Sequence, residues 1–490
     1  MFVVGLDLGT QSLKAVVCDA ALAVRGQHAV GYATSYPAPD RAEQDPRDWE
    51  AALAPAIAGA LAAAGAAPDA IAAIAIAGQL DGCVAVGAGG EPLHPALIWQ
   101  DRRAVADAAR VDARRLFALT GQVADPGHMA PKLAWLRRAR PAAVRFHQPV
   151  SYLVERLTGA AVIDPALAST TMLLELATGR WCGELLAAYD VAAGALPAVR
   201  PACEVAGALT ADGARLTGLP AGVRVAVGTG DDFAAPLGAG VIAPGPLVCV
   251  IGTAEVVGAL AATAVLDTAG EPMVETHAFP AGGFFVENPG WMSGGAVRWA
   301  ARMLGLGSDA ELDALAAGAP PGAAGVTFIP ALAGAMTPVW RPHARGTLHG
   351  LAAGHDRGHV ARAVLEGLAC ATRDVWARLG ELGLPAHEVV LIGGGARSAV
   401  WAQIRADLLG VPHRVAAHHD ATPIGAAMIA AVAAGLAPDL AALAARVPPP
   451  TATVLPDPAA AERAGEIHAR YRRLVDQLAP LATAPWPAGE

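Results

Sequence analysis

The chain has 490 residues, with 35 Lys and Arg against 44 Asp and Glu, so its formal net charge is −9 with neutral histidines. This acidic balance argues against nucleic-acid binding, because neutralising many phosphates requires cations clustered on one face. Hydrophobic residues make up 54% of the chain but aromatic residues only 5%, since the excess is alanine. The most apolar stretch, 247–266, is interrupted by Gly252, Thr253 and Glu255, which favours a strand–turn–strand over a membrane-spanning helix.

The N-terminus and the cysteines indicate the cellular compartment. The opening MFVVGLDLGT has no basic segment and enters a strand at once, which argues against a secretory signal. The cysteines are dispersed and form no CxxC pair, so they predict neither a disulfide framework nor a zinc site. We therefore expect a cytoplasmic protein that associates with neither membranes nor nucleic acids.

The first part of the chain alternates strands, turns and helices. Asp45 as N-cap, followed by Pro46 in the first helical position, predicts a helix that runs to about residue 64. The other predicted elements are strands at 2–8, 14–19, 24–32 and 70–77, a hairpin over 82–99 that turns at Gly87–Gly90, and helices at 103–117 and 130–138.

The second part repeats this alternation, which predicts an α/β fold. Its predicted elements are strands at 246–251, 254–262, 283–287 and 388–392, helices at 357–381, 398–410 and 424–435, and loops at Pro448–Pro450 and after Ala484. The segment LDLGTQSLKAVV (6–17) also resembles CVIGTAEVVGAL (249–260), about half the chain away. Either two halves begin with the same turn and grip a polyphosphate from both sides, or the match is a coincidence of common turns.

The turn after the first strand is a candidate phosphate site. Gly9 allows backbone N–H groups to approach an anion closely, and the side chains of Thr10, Gln11 and Ser12 add donors. Asp7 is a candidate to hold Mg²⁺ through water, because Mg²⁺ gives up its hydration shell reluctantly. The alternative is an ordinary hairpin turn.

Lysine usage points to the same turn. Lys14 and Lys132 are the two lysines of the chain, and the remaining cations are arginines. One interpretation is that Lys14 places a flexible ammonium group close to the phosphates, in a role that a planar guanidinium group cannot fill. Accidental retention explains the presence of this lysine equally well.

The sequence GTGDD (228–232) follows a predicted strand at 223–227. Asp231 projects from this turn and is the candidate base that accepts a proton from a substrate hydroxyl during phosphoryl transfer. Asp232 has two interpretations, as the N-cap of the next helix or as a contact to the substrate.

Two further motifs are less specific. Gly393–Gly395 lies between a strand and a helix, where it either admits a nucleotide or allows close packing, and it lacks the spacing of a P-loop or of GxGxxG. His418–Asp420 is predicted to be a surface loop and not a metal site. No GxSxG segment occurs, which argues against acyl transfer.

Together these motifs resemble the FGGY family of carbohydrate kinases over nearly the whole chain. The segments that resemble family motifs are DLGTQSLKA, GTGDD, VIGTAEV, APKLAWL (130–136), GTLHGLAAGHDRGHVARAVLE (346–366) and GGGARSAVWAQIRADLLG (393–410). The resemblance implies two RNase H-like domains of the actin/hexokinase-like ATPase type around a central cleft, which we place at residues 1–242 and 243–490. It also implies MgATP as donor and a sugar or polyol as acceptor.

The resemblance assigns roles to individual residues. It makes Asp231 the catalytic base and Asp7 the Mg²⁺ residue. The expected acceptor-binding residues are Gln79, Leu80, Asp81, Asp101 and Asp232. The expected ATP- and phosphate-binding residues are Gly9, Thr10, Gln11, Ser12, Lys14, Gly252, Thr253, Gly295, Gly394, Gly395 and Ser398.

Within the family, GQLDG (78–82) and ALIWQDRRA (96–104) resemble the xylulokinase branch, so we expect a ketopentose kinase that favours D-xylulose. Leu80-Asp81 stands where that branch has Met-His, Asp232 where it has Asn, and Ala335-Met336 where it has Glu-Arg. D-Ribulose, L-xylulose and erythritol are therefore alternative acceptors, because a site built around hydroxyl groups discriminates strongly. A non-catalytic actin-like nucleotide or sugar sensor is the alternative from another class, and a homodimer is possible.

Overall fold

A computed structural model describes residues 1–482, so the loop predicted after Ala484 lies outside the described residues. The elements fall into two consecutive halves, and the boundary at residues 242 and 243 stays a prediction. No helix among the described residues is long and apolar enough to cross a membrane.

The N-terminal half contains strands and helices up to Gly238. Its strands are β1 (Phe2–Leu8), β2 (Ser12–Asp19), β3 (Val24–Gly31), β4 (Glu43–Gln44), β5 (Ile71–Gly78), β6 (Val84–Val86), β7 (Ala96–Leu97), β8 (Arg145–His147), β9 (Val162–Ile163), β10 (Leu174–Glu175), β11 (Arg180–Trp181), β12 (Ala198–Val199), β13 (Val205–Ala208), β14 (Arg224–Ala226) and β15 (Thr229–Gly230). Its helices are α1 (Pro46–Ala64), α2 (Val105–Ala108), α3 (Ala113–Thr120), α4 (Met129–Ala139), α5 (Pro149–Thr158), α6 (Pro165–Ser169), α7 (Gly183–Ala188), α8 (Ala211–Thr217) and α9 (Asp231–Gly238).

The C-terminal half begins its first strand at Leu247. Its strands are β16 (Leu247–Ile251), β17 (Ala254–Ala261), β18 (Glu275–Ala278), β19 (Phe284–Met292), β20 (Thr327–Ile329), β21 (Thr347–His349), β22 (Val389–Ile392), β23 (His413–Val415) and β24 (Ala452–Val454). Its helices are α10 (Gly294–Met303), α11 (Asp309–Gly318), α12 (Arg357–Glu381), α13 (Ala399–Leu409), α14 (Thr422–Ala433), α15 (Leu440–Ala444) and α16 (Ala461–Leu478).

The main sheets of the two halves share one arrangement. The N-terminal sheet has the order β13-β14-β5-β1-β2-β3, with β1 antiparallel to β2 and parallel to β5. The C-terminal sheet has the order β18-β19-β17-β16-β22-β23-β24, with β16 antiparallel to β17 and parallel to β22. The repeated Gly-Thr turns therefore occupy equivalent places, each joining the first antiparallel pair of its sheet.

Local contacts change two of the predicted elements. The helix expected at 103–117 is divided into α2 and α3, because Asp112 accepts a hydrogen bond from Arg115 N–H and so starts a new helix. The hairpin expected at 82–99 forms only isolated bridges, since β6 pairs with β8 and β7 with β4. The first difference is set by a local cap, whereas the second depends on strand partners elsewhere in the chain, which local patterning does not contain.

Helix α14 belongs to the C-terminal half but packs on α9, β1 and β5 of the N-terminal half. Glycines allow this close approach. A Cβ atom on Gly425 would lie within 3.0 Å of the carbonyl oxygen of Ala234, and a Cβ on Gly238 would be equally close to the carbonyl oxygen of Ala421. The two halves are thus joined by backbone-to-backbone packing with no room for a methyl group.

We expect Gly425→Ala to lower the free energy of unfolding by about 2–3 kcal/mol, because the added methyl group overlaps backbone that cannot rotate away. Gly380→Ala is the control, since Gly380 lies in α12 with open space around its Cβ position, and it is expected to stabilise the protein by about 0.5–1 kcal/mol. Urea titration measures both. Equal stabilities of the two variants would contradict the packing argument.

Candidate active site

Strand register brings three motifs to one edge of the N-terminal sheet. Leu8 pairs with Gly78 in the parallel ladder of β1 and β5, and Gly230 pairs with the same Gly78 in the ladder of β15 and β5. The residues that follow these strand ends therefore meet. They are Gly9, Gln79 and Asp231. Gly9 begins the turn Gly9–Ser12 that is predicted to bind phosphate, called here the first phosphate turn. Gln79 begins the segment Gln79–Asp81 that is predicted to bind the acceptor, called here the acceptor motif.

The first phosphate turn is held by side chains from outside it. Gly9 N–H donates to the carbonyl oxygen of Ser12 at 3.1 Å, which closes the turn. Gln44 Nε2 donates to the carbonyl oxygen of Thr10 at 2.6 Å, and Trp99 Nε1 donates to Thr10 Oγ1 at 3.0 Å. This support fixes the turn before any ligand arrives, while Gln11 stays exposed.

Asp7 lies beside this turn among other charges. Lys14 Nζ is 3.9 Å from Asp7 Oδ2 and 2.6 Å from Asp420 Oδ1. Burial raises the pKa of Asp7 to about 7; Lys14 opposes this shift, whereas Asp231 and Asp420 add to it. The surface loop predicted at His418–Asp420 is half-exposed at Asp420, but its contact with Lys14 was missed, because it links residues 406 positions apart.

Asp7 and Asp231 fit a water-mediated Mg²⁺ site better than direct coordination. Each carboxylate raises the pKa of a neighbour in the site, so a nearby dication would stabilise their ionised forms. Among residues 1–482, no group of three or more His, Cys, Asp and Glu side chains is arranged to hold a metal ion. Phosphate oxygens and water would then supply the remaining ligands.

Asp231 and Asp232 open helix α9. Gly230 is the N-cap, so the interpretation of Asp232 as the cap is wrong, and Asp232 lies in the first turn instead. Burial, followed by the charge of Asp232, raises the pKa of Asp231 to about 8. Burial and Asp81 also raise the pKa of Asp232. Asp231 thus has the raised basicity that suits proton transfer near neutral pH.

The second phosphate turn, Gly252-Thr253, is exposed and joins β16 to β17. Gly252 N–H donates to the carbonyl oxygen of Ala254 at 2.8 Å, and Gly295 N–H donates to that of Thr253 at 3.0 Å. Arg298 Nη2 donates to Thr253 Oγ1 at 2.9 Å. Arg298 was not predicted from the sequence, because its contact with Thr253 joins residues 45 positions apart.

The glycines after β22 divide between the two predicted roles. A Cβ on Gly395 would overlap the side chain of Ile251, so Gly395 serves close packing in this structure. A Cβ on Gly394 would have nothing within 4 Å, which leaves this side open to a ligand. Ser398 Oγ accepts from Trp401 N–H at 3.0 Å and is the N-cap of α13.

The acceptor motif Gln79–Asp81 is largely buried. Gln79 Nε2 donates to Gln44 Oε1 at 2.8 Å, whereas Gln79 Oε1 is buried without a hydrogen-bond partner. Leu80 packs next to Gly230. Asp81 adopts a left-handed backbone conformation, with φ of 64°, and its N–H donates to Gln148 Oε1. A non-glycine residue held at positive φ is typical of functional sites.

Asp101 is fully buried in a salt bridge and not open to a ligand. Arg103 Nη2 lies 2.7 Å from Asp101 Oδ2, and Ala42 N–H donates to the same oxygen at 2.8 Å. Arg103 also pairs with Glu43 at 2.6 Å. In this arrangement Asp101 supports the wall of the site.

The structure adds buried groups that the sequence analysis missed. His128 Nδ1 lies 3.1 Å from Asp81 Oδ1, and His128 Nε2 lies 3.3 Å from Glu275 Oε1. Burial opposes protonation, but Asp81 and Glu275 raise the pKa of His128 well above its usual value. His277 and Glu287 extend this group. Charged residues within the apolar strands around 275–287 were the available signal.

Comparisons with known proteins show the family to which the chain belongs. The sequence matches the FGGY family of carbohydrate kinases, N-terminal domain, over residues 2–238 and the C-terminal domain of the same family over residues 247–434. It is 32% identical over 488 residues to the xylulose kinase of Escherichia coli (strain K12), covering 98% of this chain and 99% of that protein. It is also 34% identical over 457 residues to a glycerol kinase of Citrifermentans bemidjiense, covering 89% and 90% of the two chains.

A solved structure extends the match to the fold. The xylulose kinase from Rhodospirillum rubrum superimposes with a TM-score of 0.89 at 30% identity, covering 99% of this chain and 100% of that one. The predicted actin/hexokinase-like α/β fold is confirmed by these matches. The chain therefore belongs to the FGGY family of carbohydrate kinases.

Proposed function

We propose that this kinase transfers the terminal phosphoryl group of ATP to a hydroxyl group of a ketopentose, with D-xylulose favoured as acceptor and D-xylulose 5-phosphate as product. The position of Asp231 carries the proposal. Strand register brings it next to Gly9 of the first phosphate turn and Gln79 of the acceptor motif, which supports a position between donor and acceptor. The relatives named xylulose kinase, which match nearly the whole chain, support the choice of acceptor.

In this mechanism Asp231 orients the attacking hydroxyl group and accepts its proton during transfer. The turns at Gly9–Ser12 and Gly252-Thr253 hold the phosphates from the two halves, and Lys14 supplies positive charge. Asp7 would hold Mg²⁺ through water, and the bound ion would supply positive charge to the phosphate oxygens. Closing of the two halves keeps water from accepting the phosphoryl group.

On the adenosine side, the residues contribute in different ways. Gly394 leaves room for the nucleoside, whereas Gly395 and Ser398 shape the pocket by packing and by capping α13. Gly295 holds the second phosphate turn through Thr253. We therefore expect direct nucleotide contact at Gly394 and indirect effects from the other three.

Glycerol is the second candidate acceptor. The glycerol kinase relatives are at least as similar in sequence as the xylulose kinase relative, although they cover less of this chain. Leu80-Asp81 also departs from the Met-His of the xylulokinase branch. D-Ribulose, L-xylulose and erythritol share the hydroxyl groups that such a site recognises and belong in the same screen.

A coupled ADP-release assay tests these proposals. The purified protein is supplied with MgATP and, separately, with D-xylulose, L-xylulose, D-ribulose, glycerol, erythritol and arabitol. We expect D-xylulose to give the highest kcat/KM. A higher kcat/KM for glycerol would identify glycerol, and not D-xylulose, as the preferred acceptor. ATP binding without ADP release in the presence of any acceptor would favour the non-catalytic sensor.

The pH dependence of the reaction reports on Asp231. Burial and Asp232 raise the pKa of Asp231, so its basic form is lost as the pH falls through neutrality. With ATP and acceptor both sub-saturating, we expect the rate to rise with pH and to level off above about 8, with a rise of about tenfold or more per pH unit where Asp7, Asp231 and Asp232 titrate together. The Asp231→Asn variant should show a shallower rise. A wild-type profile that is flat across this range would contradict the role of Asp231 as base.

A cytoplasmic location and a possible homodimer stay predictions. Cell fractionation tests the first, and light scattering of the purified protein tests the second. The acceptor assay depends on neither outcome.

A further inference from the structure

Strand β18 of the C-terminal half is fastened to the N-terminal half beside the acceptor motif. Thr276 N–H donates to the carbonyl oxygen of Gly121 at 3.0 Å, and Ala278 N–H donates to Ser169 Oγ at 3.2 Å. The side chain of Glu275 takes part, because its Oε1 accepts from Val123 N–H at 2.7 Å. The edge of the C-terminal sheet is therefore fixed against the N-terminal half as a wall near Asp81, to which His128 links Glu275.

This wall carries two buried carboxyl groups directly opposite each other. Glu275 on β18 pairs in register with Glu287 on β19, and each is only 1% exposed. Like charges at opposed positions of a sheet destabilise it, and buried carboxylates need partners. His277 lies near both, with its Nε2 3.4 Å from Glu287 Oε1 and 3.7 Å from Glu275 Oε2.

A chain of side-chain contacts links Glu287 to Asp81 across the two halves. His277 contacts both Glu287 and Glu275, and His128 contacts both Glu275 and Asp81. Burial first, and then Asp232, Glu275 and Asp81, raise the pKa of Glu287 well above its usual value. Glu287 therefore belongs to the same buried group as Asp81, although the two residues are far apart in sequence.

Two buried oxygen atoms in this region lack a hydrogen-bond partner. They are Glu287 Oε2 and Gln79 Oε1, and the side chains of both residues are at least nine-tenths buried. A buried polar atom left unpaired costs about 1–3 kcal/mol, so such atoms indicate a missing partner. Hydroxyl groups fit, since each both donates and accepts a hydrogen bond.

Two cations face the same cluster but are already engaged. His128 lies between Asp81 and Glu275. Lys132 is fully buried, and its ammonium donates to the backbone carbonyl oxygens of Asp81 and Gly127. Neither is free to neutralise an incoming anion.

We propose, on the basis of the proposed kinase function, that Glu275 and Glu287 form the far wall of the acceptor site and restrict it to uncharged polyhydroxy compounds. Sugar acids and sugar phosphates are excluded, because they would bring a further negative charge beside Asp81 and Glu275, which already share His128 as their cation, while Lys132 is engaged by backbone carbonyl oxygens. The C-terminal half thus selects the class of acceptor, in addition to holding the nucleotide.

Matched pairs of five-carbon ligands test the proposal on the wild-type protein. Xylitol and xylonate, ribitol and ribonate, and arabinitol and arabinonate differ only in CH₂OH against carboxylate at one end. Each is measured as an acceptor and as a competitive inhibitor of the best acceptor. We expect each acid to bind at least about 30-fold more weakly than its alditol. Equal binding within the pairs, or an acid as the best acceptor, would overturn the inference while leaving the kinase function intact.

The double variant Glu275→Gln/Glu287→Gln tests the assigned residues, since it removes both carboxyl groups and keeps their shape. We expect the ratio of the binding constants of acid and alditol to shrink at least about tenfold, with KM for ATP unchanged. Glu271→Gln is the control, because Glu271 is an exposed carboxylate of the same half. An unchanged difference in the double variant would refute the role of these residues. If the double variant fails to fold, the same ligand pairs are measured on the two single variants. Together with the wild-type results, they still test the role of the two glutamates.

Absence of ADP release with every alditol, ketose and acid would instead contradict the proposed kinase function. The two failures are therefore distinguishable in one set of assays.

Discussion

Replacement of Asp231 by Ala is expected to lower kcat by about 10³-fold or more and to leave the Kd for ATP nearly unchanged. The carboxylate both positions the acceptor hydroxyl group and takes its proton, and these two contributions are lost together. ATP binding persists because the phosphate turns at Gly9–Ser12 and Gly252-Thr253 are held by hydrogen bonds that do not involve Asp231.

The isosteric variant Asp231→Asn separates proton transfer from changes in packing. It keeps the size of the side chain and removes a buried charge, so we expect a similar loss of kcat without a fall in the melting temperature. Asp212→Asn is the matched control, since Asp212 is an exposed aspartate in the first turn of α8 and should retain full activity. Single-turnover rates and nucleotide titrations measure both effects. Turnover of either Asp231 variant within tenfold of wild type would remove Asp231 from the reaction.

The strand–turn–strand units could be predicted from the sequence because their signals are local. β1 matches its predicted bounds, Phe2–Leu8, and α1 begins at Pro46 after the predicted cap at Asp45 and ends at Ala64, as expected. The Gly-Thr turns could be recognised as a repeat because each is a short motif next to a buried strand. Local patterning is sufficient where one element sets its own boundaries.

The acceptor site could be predicted only in part, because it is assembled from distant segments. Asp81 was identified from its motif, but its partner His128 lies 47 residues away, and Glu275 is 147 residues from His128. A single charged residue in an apolar strand has no local partner that would reveal its role. The contact of Lys14 with Asp420 was missed for the same reason.

Removal of the guanidinium of Arg405 is expected to produce the largest loss of stability. Arg405 and Glu255 form a buried ion pair with two hydrogen bonds of 2.6 Å, and their side chains are 1% and 0% exposed. Thr372 and Ser293 donate further hydrogen bonds to the carboxylate. Glu255 lies two residues after Thr253, so this network fixes the start of β17 and with it the second phosphate turn.

We expect Arg405→Met to lower the free energy of unfolding by about 3–5 kcal/mol, because it leaves the Glu255 carboxylate buried without a counter-charge. Where the variant remains folded, KM for ATP should rise as the phosphate turn loosens. Arg414→Met is the control: the pair of Arg414 with Glu388 is about one-third exposed on both sides, and its loss should cost less than about 1 kcal/mol. Chemical denaturation and ATP kinetics on both variants make the comparison.

The double variant Glu255→Gln/Arg405→Met tests the cause of this loss. Glutamine keeps an oxygen that accepts from Ser293 but carries no charge, so we expect the double variant to recover at least half of the stability lost in Arg405→Met. Recovery of stability together with a normal KM for ATP would mean that the buried charge, and not the shape of the guanidinium, requires Arg405. No recovery would instead assign the loss to packing, since the guanidinium lies 4.4 Å from the ring centre of Trp401.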